Sequence, residues 1–259
     1  MKEEYREENT TSSRIEGRHS VLEALRAGSL IERLFVQKGC QDGPVLTILR
    51  EAKKADVMVD FVPKERLDFM SETKNHQGVV AVLSAFAYST IDDMFALAEK
   101  KGETPFFFIL DGIEAPPNLG AIIRSAYLCG AHGVVIPKRG GVGVTGTVMK
   151  SSAGAAARLP VARVSNLAQA IRTIKEHNIF VYCADLGGAP LARTDLSGPV
   201  ALVLGSEGGG PSALTRKLCD AAVTLEMAPG QSTGVDSYNV SVAAGILCYD
   251  VLRRRTAKK

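Results

Sequence analysis

The chain has 259 residues, 46% of them hydrophobic and 23% charged, with a formal net charge of +3; this suits a globular chain of one large or two modest domains. No apolar run reaches the roughly 20 residues that cross a bilayer. The polar, acidic start MKEEYREENTTSSR lacks the apolar stretch of a secretory signal, so residues 1–13 read as a flexible tail.

From Arg14 to Ser84 helical and extended patterns alternate. HSVLEALRAG (19–28) has apolar residues at helical spacing and ends in glycine. RLFVQ (33–37) and VMVDF (57–61) read as strands around a helix near 44–55, PKERLDFMS opens a helix with proline, and GVVAVL (78–83) is a buried strand. This makes a small α/β domain over 14–84. Residues 85–90 read as a linker, and a second α/β domain fills 91–259. Its strands are PFFFIL (105–110), GVVIP (133–137), RLPVARV (158–164), IFVYCA (179–184), VALVLG (200–205) and AAVTLEM (221–227), with a last helix from about Asn239 to Arg255. Continuous apolar strands alternating with helices predict a parallel sheet covered on both faces. Ligands of such sheets bind at the carboxyl ends of the strands, so the loops there are the places to look for chemistry.

Five cysteines (Cys40, Cys129, Cys183, Cys219, Cys248) form no CxxC, and the four histidines lie far apart. The pattern argues against a disulfide framework or a metal site and points to a reducing cytoplasm. No GxSxG is present, so serine hydrolysis has no support. The last seven residues, RRRTAKK, hold five positive charges. Such a tail either meets phosphate or is a helix end that suits the helix dipole.

Three loops carry polar groups. DGIEAPPNLGAIIRSAYLCG follows PFFFIL; Asn118 reads as an N-cap, Gly130 as the residue after the C-cap, and Arg124 as the charged edge of a buried stripe. Arg124 is either a structural ion pair or a ligand group. LGSEGGGPSAL (204–214) packs four glycines into six residues around Glu207, which lets backbone approach a ligand. LEMAPGQSTGVDSYNVSVAAG (225–245) leads to a helix that Ser237 or Asn239 can cap. GVGVTG (141–146) also satisfies GxGxxG, but no acidic residue stands where a dinucleotide's ribose would need one. A nicotinamide-dependent dehydrogenase is therefore disfavoured.

Taken together, NLGAIIRSA, LVLGSEGGG and SYNVSVAAGI resemble motifs one, two and three of the SpoU branch of the SPOUT RNA 2′-O-ribose methyltransferases, in the same order. GRHSVLEAL and HQGVVA (76–81) resemble the L30e-like substrate-binding domain of the bacterial large-subunit rRNA guanosine methyltransferases. The resemblance implies an α/β SPOUT domain whose parallel sheet carries a deep trefoil knot, where periodicity alone would give an open sheet. It implies S-adenosylmethionine as cofactor, no metal, a homodimer, and RNA as partner: 23S rRNA first, tRNA as the alternative, with a thiopeptide-resistance role also open. An RNA-binding ribosome-assembly protein without catalysis is the non-enzyme alternative. By correspondence of motif positions, Asn118, Arg124, Glu207, Ser237 and Asn239 are implied in catalysis. Leu204, Gly205, Ser206, Gly208, Leu225, Met227, Tyr238 and Asn239 are implied in cofactor binding. The chain departs from the family at Leu225-Glu226-Met227, where isoleucine-proline-methionine is usual, at Tyr238, where leucine is usual, and in a longer loop over 228–236.

Overall fold

The computed structural model describes residues 14–84, 86–228 and 237–257. The chain divides into two compact units, residues 1–87 and 88–259.

In the first unit β1 (Arg14–Glu16), α1 (Arg18–Arg26), β2 (Ile31–Gln37), α2 (Gly43–Lys54), β3 (Val59–Val62), α3 (Lys64–Met70) and β4 (Val79–Leu83) follow in order. The sheet order is β1-β4-β2-β3, with β2 parallel to β3 and antiparallel to β4. Val21, Leu34, Val36, Ile48 and Val79 form its main core. Phe35, Leu67, Met70 and Val80 form a second, separate cluster. Alternation along β2 and β4 explains the two: neighbouring residues of a strand face opposite sides. Asp42 caps α2 by accepting from the Val45 N–H at 3.2 Å.

The second unit runs α4 (Ile91–Lys101), β5 (Phe106–Asp111), α5 (Pro116–Leu128), β6 (Gly133–Pro137), α6 (Gly146–Ser151), β7 (Val161–Val164), α7 (Leu167–Glu176), β8 (Phe180–Pro190), β9 (Val200–Gly205), α8 (Ala213–Leu218), β10 (Ala221–Thr224) and α9 (Val240–Thr256). All six strands are parallel, in the order β10-β8-β9-β5-β6-β7. Phe106, Phe107 and Phe108 are consecutive and wholly buried, which only a strand covered on both faces allows. Burying each ring contributes about 1.5–3 kcal/mol. Met94, Ile171 and Ile174 cover one face over Phe107 and Ile109. Gly133 admits this packing, since a Cβ there would lie 2.3 Å from the Met94 Cγ.

Two expected strands are shorter than their apolar runs. RLPVARV forms strand only from Val161, and AAVTLEM ends at Thr224, which leaves Leu225 and Met227 outside the ladder.

Candidate active site

From β5 the chain steps outward through β6 to β7, then returns to the other side of β5 for β8, β9 and β10. The order therefore reverses between β5 and β9, and a crevice at the carboxyl ends of those two strands is where such sheets hold ligands. Register pairs Leu110 with Leu204 and Asp111 with Gly205. The first two loops singled out by sequence thus leave the sheet side by side.

Three side chains from three loops meet there. The Asn118 Nδ2 donates to the Glu207 Oε1 at 2.8 Å, and the Asn239 Nδ2 donates to the same oxygen at 2.5 Å. The Asn239 Nδ2 also reaches the Asn118 Oδ1 at 3.3 Å. The Asn239 Oδ1 accepts from the N–H and hydroxyl of Ser241, at 2.9 and 2.6 Å, so Asn239 caps α9 with one end of its amide and holds Glu207 with the other. Charge-assisted bonds of this kind are among the stronger ones. The carboxylate is fixed in orientation, and among the described residues its Oε2 has no partner.

Steric need explains the glycines that carry Glu207. A Cβ on Gly205 would fall 1.8 Å from the Gly210 carbonyl carbon, and Gly210 itself has φ +65°. The Ser206 and Gly210 main chains bond to each other in both directions, at 3.2 and 2.9 Å. Ser206 is thereby committed to shaping the turn. The Gly208 Cβ position faces open space. Two groups that sequence reading passed over hold the loop from outside. The Arg216 guanidinium donates to the carbonyls of Gly209 (2.9 Å) and Pro211 (3.0 Å) and pairs with Asp185 of β8 at 2.8 Å. The Asp111 Oδ2 accepts from the Ser212 N–H at 2.9 Å. Asp111 was legible as an acid at a strand's carboxyl end; nothing local in the sequence marked Arg216.

The structure corrects one expectation. Asn118 is not an N-cap. Helix α5 starts at Pro116, with Ala115 as its cap residue and both prolines in its first turn, where a missing N–H costs nothing and φ is already helical. Asn118 stands inside that turn, and its amide is free to reach Glu207. Gly130 does follow the C-cap, with φ +78°.

Arg124 is exposed and makes no ion pair among the described residues. Six residues beyond Asn118, about one and two-thirds turns, it leaves α5 on another side of the helix. Ser237 is exposed and, among the described residues, bonds to none of the three. Leu204 is buried, Leu225 is half-buried, and Met227 and Tyr238 are exposed by 44% and 42%. The Tyr238 hydroxyl donates to the Glu226 carbonyl at 3.4 Å. Exposed apolar side chains beside an exposed polar cluster suit a surface that a ligand covers. Residues 229–236, most of the longer loop, lie outside the described residues.

The glycine loop GVGVTG packs against the first loop: the Val142 N–H donates to the Ile113 carbonyl at 2.8 Å, and Thr145 caps α6. The arginines of the tail are engaged by the fold itself. Arg253 (2.7 Å) and Arg254 pair with the buried Asp250, and Arg255 donates to the carbonyls of Thr104, Pro105 and Gly198 at 2.6, 3.0 and 2.8 Å. Among the described residues no group of three His, Cys, Asp or Glu side chains converges as a metal site, and no helix is long and apolar enough to cross a membrane.

The chain matches the SpoU rRNA Methylase family over residues 105–249 and the RNA 2′-O ribose methyltransferase substrate-binding family over residues 14–89. It is 44% identical over 240 residues to the Bacillus subtilis protein YacO, named as a TrmH family tRNA/rRNA methyltransferase, covering 92% of this chain and 94% of that one. An AdoMet-bound rRNA methyltransferase from Sinorhizobium meliloti shares its fold with a TM-score of 0.56, at 25% identity over 97% of this chain and 90% of that one. The SpoU methyltransferase AviRb from Streptomyces viridochromogenes, crystallised with AdoMet, aligns with a TM-score of 0.59 at 23% identity over 95% and 91% of the two chains. The chain belongs to the SpoU rRNA methylase family and is an RNA 2′-O-ribose methyltransferase.

Proposed function

We propose that this SpoU-family chain methylates the ribose 2′-hydroxyl of a guanosine in 23S rRNA, in the cytoplasm and as a homodimer. The observation that carries the reading is the Asn118–Glu207–Asn239 cluster at the reversal point of the parallel sheet. A 2′-hydroxyl is a weak acid and a poor nucleophile, so it needs orientation and a group that stabilises its developing charge. Glu207, held through one oxygen, offers the other to the hydroxyl. Arg124, uncommitted within the described residues, meets the hydroxyl and the adjacent phosphate. A guanidinium serves there as an electrostatic clamp more readily than as a base. Ser237 stands beside Asn239 as a further polar contact for the ribose.

The residues at the crevice fit S-adenosylmethionine. Main-chain groups of Leu204, Gly205 and Leu225 and the open side of Gly208 would hold its polar parts, and Met227 and Tyr238 would cover the adenine. When bound, the cofactor supplies an electrophilic methyl group on a sulfonium, so the reaction as proposed runs without a metal. The trefoil threading expected of the family belongs to this reading, as does the L30e-like character of residues 14–84, with 85–90 as the join. Tyr127 and Leu128 of α5, with Val242, Ile246 and Tyr249 in one stripe of α9, are exposed. A patch of this kind marks an interface and supports the homodimer.

The separate first unit favours rRNA over tRNA. Incubating the protein with radiolabelled S-adenosylmethionine and unmodified 23S rRNA or tRNA, then digesting to nucleosides, tests the reading. Label in 2′-O-methylguanosine from 23S rRNA is expected. Label only from tRNA would keep the chemistry and replace the substrate, and no label from either would overturn it.

A further inference from the structure

The first unit has a cleft that the methyl-transfer chemistry does not use. It opens at the edge where β2 and β3 run out and β4 begins, and its volume is about 280 Å³, near the lower end of small-ligand sites. Its walls are mostly polar. Arg18 braces one of them: its main-chain N–H donates to the Gln77 Oε1 at 3.1 Å, its Nε donates to the Gln77 carbonyl at 3.0 Å, and its guanidinium pairs with Asp42, outside the cleft, at 2.6 Å. His76 is buried, with its Nδ1 accepting from the Gly78 N–H at 2.9 Å and its Nε2 at 2.9 Å from the Asp68 Oδ1. From the other side the Glu16 carboxylate accepts from the Thr73 N–H at 2.8 Å.

The loop so held is strained. Lys74 and Gln77 have φ +58° and +52°, a region that residues with a Cβ rarely adopt. Both line the cleft, and the strain fixes where their side chains leave the backbone. Two lysines on the walls, Lys64 and Lys74, are exposed and have no carboxylate partner among the described residues. Asp68 also lines the cleft. Its Oδ1 is taken by His76, and among the described residues its Oδ2 has no partner. Asn75 adds an exposed amide.

We infer that this cleft grips one unpaired nucleotide of the substrate RNA, with its phosphate at Lys64 and Lys74 and its base edge at Asn75 and Asp68. A bare anion would meet Asp68 with repulsion. A nucleotide brings a phosphate for the lysines and N–H donors for the carboxylate, and single-stranded bases are the ones whose edges are open to such contacts. The inference rests on the function proposed above, in that the ligand is taken to be the RNA that is methylated.

The test uses the full chain and unmodified 23S rRNA, with binding measured between about 50 and 200 mM salt. The double variant Lys64→Ala/Lys74→Ala should raise Kd about tenfold or more and lower the slope of log K against log[salt] by about 0.7, for the one single-strand phosphate that the two lysines share. Lys64→Glu/Lys74→Glu should do more of both. Asn75→Ala should weaken binding with the slope unchanged. The thermal unfolding curve of the full chain and its S-adenosylmethionine affinity, read by calorimetry, should both stay at the wild-type values in all three; the first shows that the unit carrying the cleft is folded and the second that the methyl-transfer site is intact. Unchanged RNA affinity and slope in the charge-reversed variant would overturn the inference while leaving the methyltransferase reading standing. So would lysine-dependent binding of guanosine 5′-monophosphate in a protein whose RNA binding ignores the lysines, since the cleft would then serve a free nucleotide. A wild-type chain that neither binds nor methylates 23S rRNA would take both readings down together.

Discussion

The two ends of the parallel sheet of the second unit are both rich in polar and charged side chains, and they use them in opposite ways. At the amino ends the groups are closed on one another. His132 is wholly buried, with its Nδ1 accepting from the Phe106 N–H at 3.2 Å and its Nε2 3.0 Å from Glu103; the first contact makes Nδ1 the acceptor and Nε2 the proton carrier. Arg255 caps three carbonyls and lies over the Phe106 ring, 5.5 Å from its centre. At the carboxyl ends the groups are open. Arg124 and Ser237 have no partner among the described residues, and Glu207 is held by one oxygen only. A fold buries polar groups that are satisfied; those it leaves exposed and oriented are the ones available to a ligand. The difference also explains why charge alone misleads: Arg255 of the basic tail belongs to the closed end.

The largest effect is expected at the open end. Arg124→Ala should reduce turnover about 10³-fold or more with S-adenosylmethionine affinity and melting temperature near wild type; an equal loss of cofactor affinity would refute the assignment to the RNA side. Glu207→Gln keeps the shape but replaces the acceptor, and kcat should fall about 10²-fold with little change in stability. If kcat survives, the cluster is scaffolding.

Arg255→Ala reverses the pattern. Three carbonyls lose their donor, so stability should drop by about 2 kcal/mol, a fall of about 4–8 °C in melting temperature for a unit of this size, with activity per folded molecule unchanged. The smallest effect is a pH dependence. Burial pushes the His132 imidazole below its ordinary value of 6.5, against the pull of Glu103. The unfolded chain then binds the proton more readily than the fold does, so the stability His132 contributes is complete above about pH 6.5 and is lost as pH falls towards the depressed value. Melting curves at pH 7.5 and 5.5 should show a decline that is shallower in His132→Gln. A decline of the same size would assign it to other groups.

Part of this was legible beforehand. The strands PFFFIL and VALVLG, the first two polar loops and the helix after Asn239 stand where apolar runs and glycine placement put them. Local errors have local causes. Asn118, read as a cap, lies inside the helix, because the first turn needs no N–H from Pro116 and Pro117 and so starts before it. RLPVARV and AAVTLEM are longer as apolar runs than as strands, because a ladder ends where its neighbour ends.

The sequence by itself determined the alternation of elements, the buried stripes and the identity of the polar loops, since these depend on residues a few positions apart. Only the tertiary structure decided which loops became neighbours. Asn118, Glu207 and Asn239 meet across 89 and 32 intervening steps of chain, because β9 inserts beside β5 and brings the second loop against the first. The same holds for Arg216 reaching the Gly209 carbonyl and for Arg255 closing the far end. Their partners are set by strand order, a long-range property that no short window of residues contains.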